Sequence, residues 1–397
     1  MAVHGLELRE LDDSDVADSV LLSRRSFGFP VTHTPPPDRF GGGATRHGAF
    51  LDGRLVGQAF DLHDEQWWGG RLLGAADIGG VAVAAEARGR GLARTLIGRL
   101  LERGRERGAV VSALFPSIST VYRALGWATT GQVTTVALPT LALPRSPVPE
   151  HIEVREGTVD DLAGVHELYR SVASAGNGML SRDEERMRRD GDRPHGIDAG
   201  LTVALAGGEV VGYYTWKRGQ NYGRESSALE VDDLLAATPE AARALITVLF
   251  SWHTVVPSTR LRLLGDDAVA DCLPVELGKV HKVTRWMHRP VDIAVAVSGR
   301  GWPTGAHGRA VFTIEDTLAP WNTGTWSLVI DGGVGELRRS KQDTSVHLSV
   351  AGFASLYCGL TSVDSLRQAG HVSGPHEDAV TLDVLATSAP PRILDTF

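Results

Sequence analysis

Ile78-Gly79-Gly80-Val81-Ala82-Val83 runs, after a short link, into Arg88-Gly89-Arg90-Gly91-Leu92-Ala93-Arg94. The first run is apolar and predicts a strand. Beyond the glycines, Leu92, Leu96, Ile97, Leu100 and Leu101 recur at helical spacing, with Arg94, Arg99 and Arg103 off that stripe. Glycines and arginines therefore fall where a strand ends and a helix begins. The first-turn N–H groups of a helix lack internal partners and carry a partial positive charge. Glycine lets a phosphate approach the main chain there, and flanking arginines add charge. The turn is predicted to hold an anion, such as a pyrophosphate. A solvated arginine-rich helix with a loose start is the plain alternative. Yet Gly89 and Gly91 each cost such a helix about 0.8–1 kcal/mol relative to alanine, which asks for some offsetting use. A P-loop is excluded because no lysine followed by Ser or Thr comes after the glycines. The dinucleotide fingerprint lacks its third glycine, where Arg94 stands.

Outward from this turn the chain repeats itself. Leu6-Glu7-Leu8-Arg9-Glu10 returns as Ile152-Glu153-Val154-Arg155-Glu156, each alternating like a half-buried strand. Each precedes a capped helical stripe: Ser14 or Asp15 before Val16 and Val20, Thr158 before Leu162, Val165 and Leu168. Leu51-Asp52-Gly53-Arg54-Leu55-Val56-Gly57 matches Ala206-Gly207-Gly208-Glu209-Val210-Val211-Gly212, and both read as hairpin turns. Two matches in one order predict a duplicated α/β unit. The seam is 138–150, where Pro139, Pro144, Pro147 and Pro149 predict an extended linker. Past Arg289-Pro290 the chain reads as strands over 292–297, 309–314 and 326–330, then a helix over 350–356. Gly332-Gly333-Val334-Gly335 follows a strand without opening a helix and reads as a turn. Pro35-Pro36-Pro37 and Gly41-Gly42-Gly43 predict a loop near a site mouth.

The 397 residues are 42% hydrophobic and 22% charged, enough apolar surface for two or three cores and too much for a disordered chain. A net charge of −8 argues against a nucleic-acid or anionic-membrane partner and suits a cationic one. Cys272 and Cys358 give neither a disulfide framework nor metal-ligand spacing, so a reducing cytoplasm is expected and no metal. No signal peptide or membrane-spanning run is visible. His33, His47 and His63 read as surface or loop histidines, and Trp67-Trp68 as cover for a core or an oligomer surface.

A strand followed by Arg-x-x-Gly-x-Ala at a helix start resembles the acetyl-CoA signature of the Gcn5-related N-acetyltransferases (GNAT), with Arg88, Gly91 and Ala93 in its three positions. Val121-Tyr122-Arg123-Ala124-Leu125-Gly126-Trp127 is similar to the superfamily's Tyr-x-x-x-Gly-aromatic segment. Tandem units of this kind with a sterol-carrier-like module resemble the enhanced intracellular survival (Eis) family. The module is matched through Phe312-Thr313-Ile314-Glu315-Asp316, Trp321-Asn322-Thr323-Gly324 and Leu356-Tyr357-Cys358-Gly359. Pro391-Arg392-Ile393-Leu394-Asp395-Thr396-Phe397 ends, as such chains do, on an aromatic residue.

The resemblance implies an α/β (α+β) chain. A catalytic GNAT domain with a mixed sheet spans 1–140, a degenerate one 150–290, and a sterol-carrier-protein-like α+β domain 291–397. It implies acetyl-CoA as co-substrate, held by Val81, Ala82 and Val83 on a splayed strand, by Arg88, Gly89, Arg90, Gly91, Leu92, Ala93 and Arg94 at the pyrophosphate, and by Ser117 and Ile118. It implies Tyr122 as general acid and the Phe397 carboxylate as general base or as anchor for an ammonium group. The plain alternatives are a core tyrosine packed on Leu125 and Trp127, and a frayed terminus. Leu235-Ala236-Ala237-Thr238-Pro239-Glu240-Ala241-Ala242 lacks glycine and arginine, so the second unit is expected to bind no acetyl-CoA. The implied acceptor is a small cationic amine, aminoglycoside-like or lysine-like, and the implied assembly a homohexamer. A non-catalytic scaffold around an apolar-ligand carrier is the competing function.

Overall fold

A computed structural model describes residues 5–28, 40, 43–182, 200–219, 227–265 and 267–397. The Pro35-Pro36-Pro37 stretch, Gly41, Gly42 and His33 lie outside them.

The first unit carries β1 (Leu6–Glu10), α1 (Val16–Phe27), β2 (Ala44–Leu51), β3 (Arg54–Trp68), β4 (Arg71–Val83), α2 (Leu92–Glu106), β5 (Val111–Leu114), α3 (Ser119–Arg123) and β6 (Ala128–Pro139). The second carries β7 (Ile152–Glu156), α4 (Leu162–Ser174), β8 (Asn177–Leu180), β9 (Gly200–Ala206), β10 (Glu209–Arg218), β11 (Leu229–Ala236), α5 (Pro239–Ser251), β12 (Ser258–Leu263) and β13 (Lys279–Pro290). The duplication is visible in atoms. Arg9 donates to both carboxylate oxygens of Asp15 at 2.6 and 2.7 Å, and Arg155 to both of Asp161 at 2.8 Å. Both hairpin turns form, with left-handed Asp52 and Gly53 in one and Gly207 and Gly208 in the other. The linker begins later than the prolines suggest. Leu138 and Pro139 still belong to β6, where they pair with Thr259 and Ser258, because an edge-facing proline need not donate.

The two sheets fuse. Among the described residues the strand order is β1-β2-β3-β4-β5-β13-β6-β12-β11-β10-β9-β7, with β8 on β3. β13, the last strand of the second unit, enters between β5 and β6 of the first, pairing Met287 with Leu114 and with Thr129. Neither unit therefore closes its sheet alone.

The C-terminal module carries α6 (Ile293–Gly299), β14 (Gly308–Ile314), β15 (Gly324–Asp331), β16 (Val334–Arg339), β17 (His347–Leu348), α7 (Val350–Tyr357) and β18 (Val372–Ser373), in a sheet ordered β16-β15-β14-β17-β18. The strand expected over 292–297 is instead α6. Asp292 caps it by accepting from the Ala294 and Val295 amides, and Ile293, Ala296 and Val297 are buried on one face. A five-residue apolar run fits either period, and the cap decides. The helix expected over 350–356 and the Gly332-Gly333 turn are present. The module's core is filled by Phe312, Phe353, Trp302, Trp326 and Tyr357, and Trp68 of β3 enters it at zero exposure. Arg289, also fully buried, ties β13 to this module through an ion pair with Asp316 and to the first unit through a 2.5 Å bond to the Leu125 carbonyl. No described helix is long and apolar enough to cross a membrane.

Candidate active site

β4 shapes the site by being irregular. Gln58 of β3 faces Ala82 and Phe60 faces Gly79, so two residues of β4, Gly80 and Val81, stand against Ala59 alone. This is a bulge on β4, and Gly80 holds it at φ +58, where a Cβ would lie 2.4 Å from the Phe60 ring. On its other edge β4 pairs with β5 at Ala75↔Val111 and no further among the described residues. Past Ile78 no strand pairs with that edge among the described residues, so backbone groups there can face a ligand.

α2 begins at the end of this open edge. Its N-cap, Gly91, is left-handed at φ +78 and supplies no side-chain cap. The amides of Leu92, Ala93 and Arg94 have no carbonyl one turn behind them within the helix. A Cβ at Gly89 or Gly91 would meet nothing within 4 Å, so the space above both is open. Arg88 folds back to donate from Nε to the Val83 carbonyl at 3.1 Å, and Arg94 donates to the Thr317 hydroxyl at 2.7 Å. A cavity of about 500 Å³ opens here. Its walls include Val81, Val83, Arg88, Gly89, Gly91, Leu92, Ala93, Arg94, Ser117, Ile118 and Tyr122. One end is cationic and N–H-rich; the rest is apolar.

Tyr122 is 8% exposed, on α3, with its ring edge-on to Trp127 at 6.4 Å. The backbone holds it firmly, since its carbonyl accepts from the Leu125 and Trp127 amides at 3.0 Å each. Its hydroxyl has no hydrogen-bond partner among the described residues. Burial pushes its pKa above the ordinary tyrosine value. Positioning, not a lowered pKa, is thus what this tyrosine offers as a proton donor. Phe397 is not frayed. It is half-buried, and its ring meets Phe115, just past the end of β5, edge-on at 5.1 Å.

Two expected residues turn their side chains elsewhere, which for Ala82 leaves the expected backbone role untouched. Ala82 alternates to the opposite face and packs with Leu11, Leu22, Phe50 and Leu55, while the exposed Arg90 donates to the Glu86 carbonyl. The cavity also uses Ala87, Val121, Ala124 and Leu125, which sequence reasoning missed. Leu125 stands three residues after Tyr122, a spacing that puts the two on one side of a helical turn; Val121, adjacent to Tyr122, carries no such signal. The histidine expectation is corrected: His47 is 4% exposed on β2, and His63 on β3 pairs with the Thr45 hydroxyl at 2.8 Å. Alternation buries one and half-buries the other. Among the described residues no group of three or more His, Cys, Asp or Glu side chains could hold a metal ion.

At the matching point of the second unit the helix start is closed. Thr238 caps α5 by accepting from the Ala241 amide at 3.2 Å, Pro239 removes a donor at the first helical position, and Glu240 puts negative charge there.

Residues 7–130 and 178–290 each match an acetyltransferase (GNAT) domain model, and 293–394 a sterol carrier protein domain model. An uncharacterized N-acetyltransferase of Streptomyces avermitilis is 28% identical over 328 residues, 79% of each chain. The GCN5-related N-acetyltransferase of Kribbella flavida is 28% identical, with a TM-score of 0.83 over 99% of this chain and 98% of its own. Eis1 of Mycobacterium abscessus shares the fold at 22% identity, with a TM-score of 0.75 over 98% of this chain and all of its own. The GNAT fold implies acetyl-CoA as co-substrate. The uncapped glycine start of α2 fits a diphosphate, and the apolar walls beside the open β4 edge fit a pantetheine arm. Two GNAT domains followed by a sterol carrier protein domain make this chain an N-acetyltransferase of Eis-like tandem architecture.

Proposed function

We propose that the first unit transfers an acetyl group directly from acetyl-CoA to a primary amine of a small cationic acceptor, aminoglycoside-like or lysine-like. The observation that carries this is Tyr122. It is a buried residue fixed through its backbone, with no partner for its hydroxyl among the described residues, in the wall of the cavity that begins at the α2 N-terminus.

Acetyl-CoA, when bound, supplies an activated thioester carbonyl. The α2 amides with Arg88 and Arg94 hold its diphosphate, and the unpaired β4 edge orients the arm. The Val83 amide is the candidate to polarise the carbonyl as charge develops on its oxygen. Tyr122 gives its proton to the departing sulfur, whose ordinary conjugate-acid pKa is ~8.5. The Phe397 carboxylate receives a proton from the amine or holds its ammonium form. An ordinary terminal pKa of ~3.5 makes it a weak base, so proton acceptance through a relaying water, or anchoring of the ammonium, is the role it suits. The net charge of −8 suits a cationic acceptor. The homohexamer implied by the Eis resemblance belongs to this proposal too.

A thiol-release assay with acetyl-CoA and a panel of polyamines, aminoglycosides and lysine peptides tests the reading. Turnover is expected, and a C-terminal extension should depress it at least tenfold more than an N-terminal one. Equal loss from both extensions removes Phe397 from the chemistry, and no turnover on any amine favours the scaffold function.

A further inference from the structure

Near the end of the chain Arg392, Leu394 and Asp395 are fastened to the second unit. Arg392 donates from its amide to the Asn177 carbonyl at 2.8 Å and from its side chain to the Gly265 carbonyl at 2.6 Å. Arg262 of β12 donates to the Leu394 carbonyl at 2.7 Å. Asp395, 5% exposed, accepts from Arg182 Nε at 3.1 and 3.3 Å and from the Tyr169 hydroxyl at 3.1 Å. Arg182 turns its other nitrogens to Asp233 of β11, at 2.5 and 3.0 Å, and Asp233 also accepts from the Tyr213 hydroxyl at 3.0 Å.

This is an expensive arrangement. The Arg182 side chain is 4% exposed, and its backbone sits in the left-handed region at φ +52, costly for a residue with a Cβ. Taking a guanidinium and two carboxylates out of water is repaid only by close geometry, so such a cluster is weak evidence for added stability. Its location tells what it serves. Asp233 stands two residues beyond Val231, the last β11 residue paired with β12. Asp77 stands two residues beyond Ala75, the last β4 residue paired with β5. The strands of the first unit open toward its cavity from that point. In the second unit the same opening is tied to the tail, by β12 directly and by β11 through Arg182.

We propose that this Arg182–Asp395 clamp is a positioning device for the terminal carboxylate, and that holding the chain's own end is the working role of the second unit's strand opening. Arg182, Asp233 and Tyr169 are positioning residues. Only about 7 Å of extended chain separates Asp395 from Phe397, so a shift at one is felt at the other. The inference rests on the role given above to the Phe397 carboxylate.

Asp395→Asn keeps the size of the side chain and removes its charge; Tyr169→Phe removes one donor and leaves no charge stranded. Steady-state turnover of both, of the wild type and of a chain lacking Phe397 is compared, with release of Phe397 by carboxypeptidase A as a readout of the tail itself. Misplacing a reacting group by about 1 Å costs roughly 10²-fold in rate. Asp395→Asn is therefore expected to lose about that much kcat and Tyr169→Phe several-fold, both with KM for acetyl-CoA unchanged and both with faster loss of Phe397 than the wild type. Wild-type turnover in both variants while the shortened chain is inactive overturns the clamp and spares the carboxylate. Wild-type turnover in the shortened chain overturns the carboxylate role and the clamp with it. A fall in kcat with a matching rise in KM for acetyl-CoA and an undisturbed tail marks the cluster as merely structural.

Discussion

Tyr122→Phe is expected to lower kcat by about 10²-fold or more, the range for loss of a positioned proton donor, and to leave acetyl-CoA affinity within about twofold. A 10²-fold loss is about 2.7 kcal/mol of transition-state stabilisation. The ring packs on Trp127 and its carbonyl holds the following turn, and phenylalanine keeps both contacts. Only the hydroxyl is lost, and no described protein group depends on it. The pH profile carries a sign that can be checked. In the proposed transfer the protonated hydroxyl is the active form, and burial moves its titration upward from the ordinary tyrosine value. Tyr122 should therefore put no alkaline limb on kcat/KM for acetyl-CoA below about pH 10. A limb near pH 8 that vanishes in Tyr122→Phe would show a lowered pKa and a different local field. Unchanged kcat would assign the tyrosine to the core alone.

Gly91→Asp is expected to raise KM for acetyl-CoA by about 10²-fold or more while the protein remains folded. The position is the uncapped start of α2, left-handed at φ +78, with open space where the Cβ would go. Aspartate tolerates that backbone better than most residues, at a cost of roughly 1 kcal/mol, so the fold should survive. Its carboxylate would cap the free amides itself and repel a diphosphate. A spectroscopic melting curve close to wild type, with a saturation curve shifted far to higher acetyl-CoA, is the outcome to look for. A wild-type KM would place the diphosphate elsewhere. The comparison with Thr238 and Glu240 is instructive, since the second unit already carries a cap and an acid at its own helix start.

The features that could be read from the chain are those whose cause is local. Gly53 and Gly208 mark hairpins because the turns need positive φ, and Gly91 marks the helix start for the same reason. The Leu92-to-Leu101 stripe is a buried face by spacing alone. The gathering of Arg88, Gly91, Ser117 and Tyr122 around one cavity was expected from the family resemblance and not from the spacing of these residues alone. What escaped has a non-local cause. Gly80 reads as a strand residue until Phe60 is placed against it, and only the pairing makes it a bulge. β13 looks like the last strand of the second unit, and nothing near residue 287 says that it will lie between β5 and β6. Ala82 faces away from the cavity because strands alternate, which the sequence could have said. Arg182 and Asp395 stand 213 residues apart, and no local signal joins them.

In the proposed function a single helix start, in the first unit, holds the diphosphate of acetyl-CoA. Calorimetric titration of the full-length protein with acetyl-CoA measures this most directly. One equivalent per chain, abolished by Gly91→Asp and untouched by Glu240→Ala, is the expected result. Two equivalents per chain, or no heat on mixing, contradicts it.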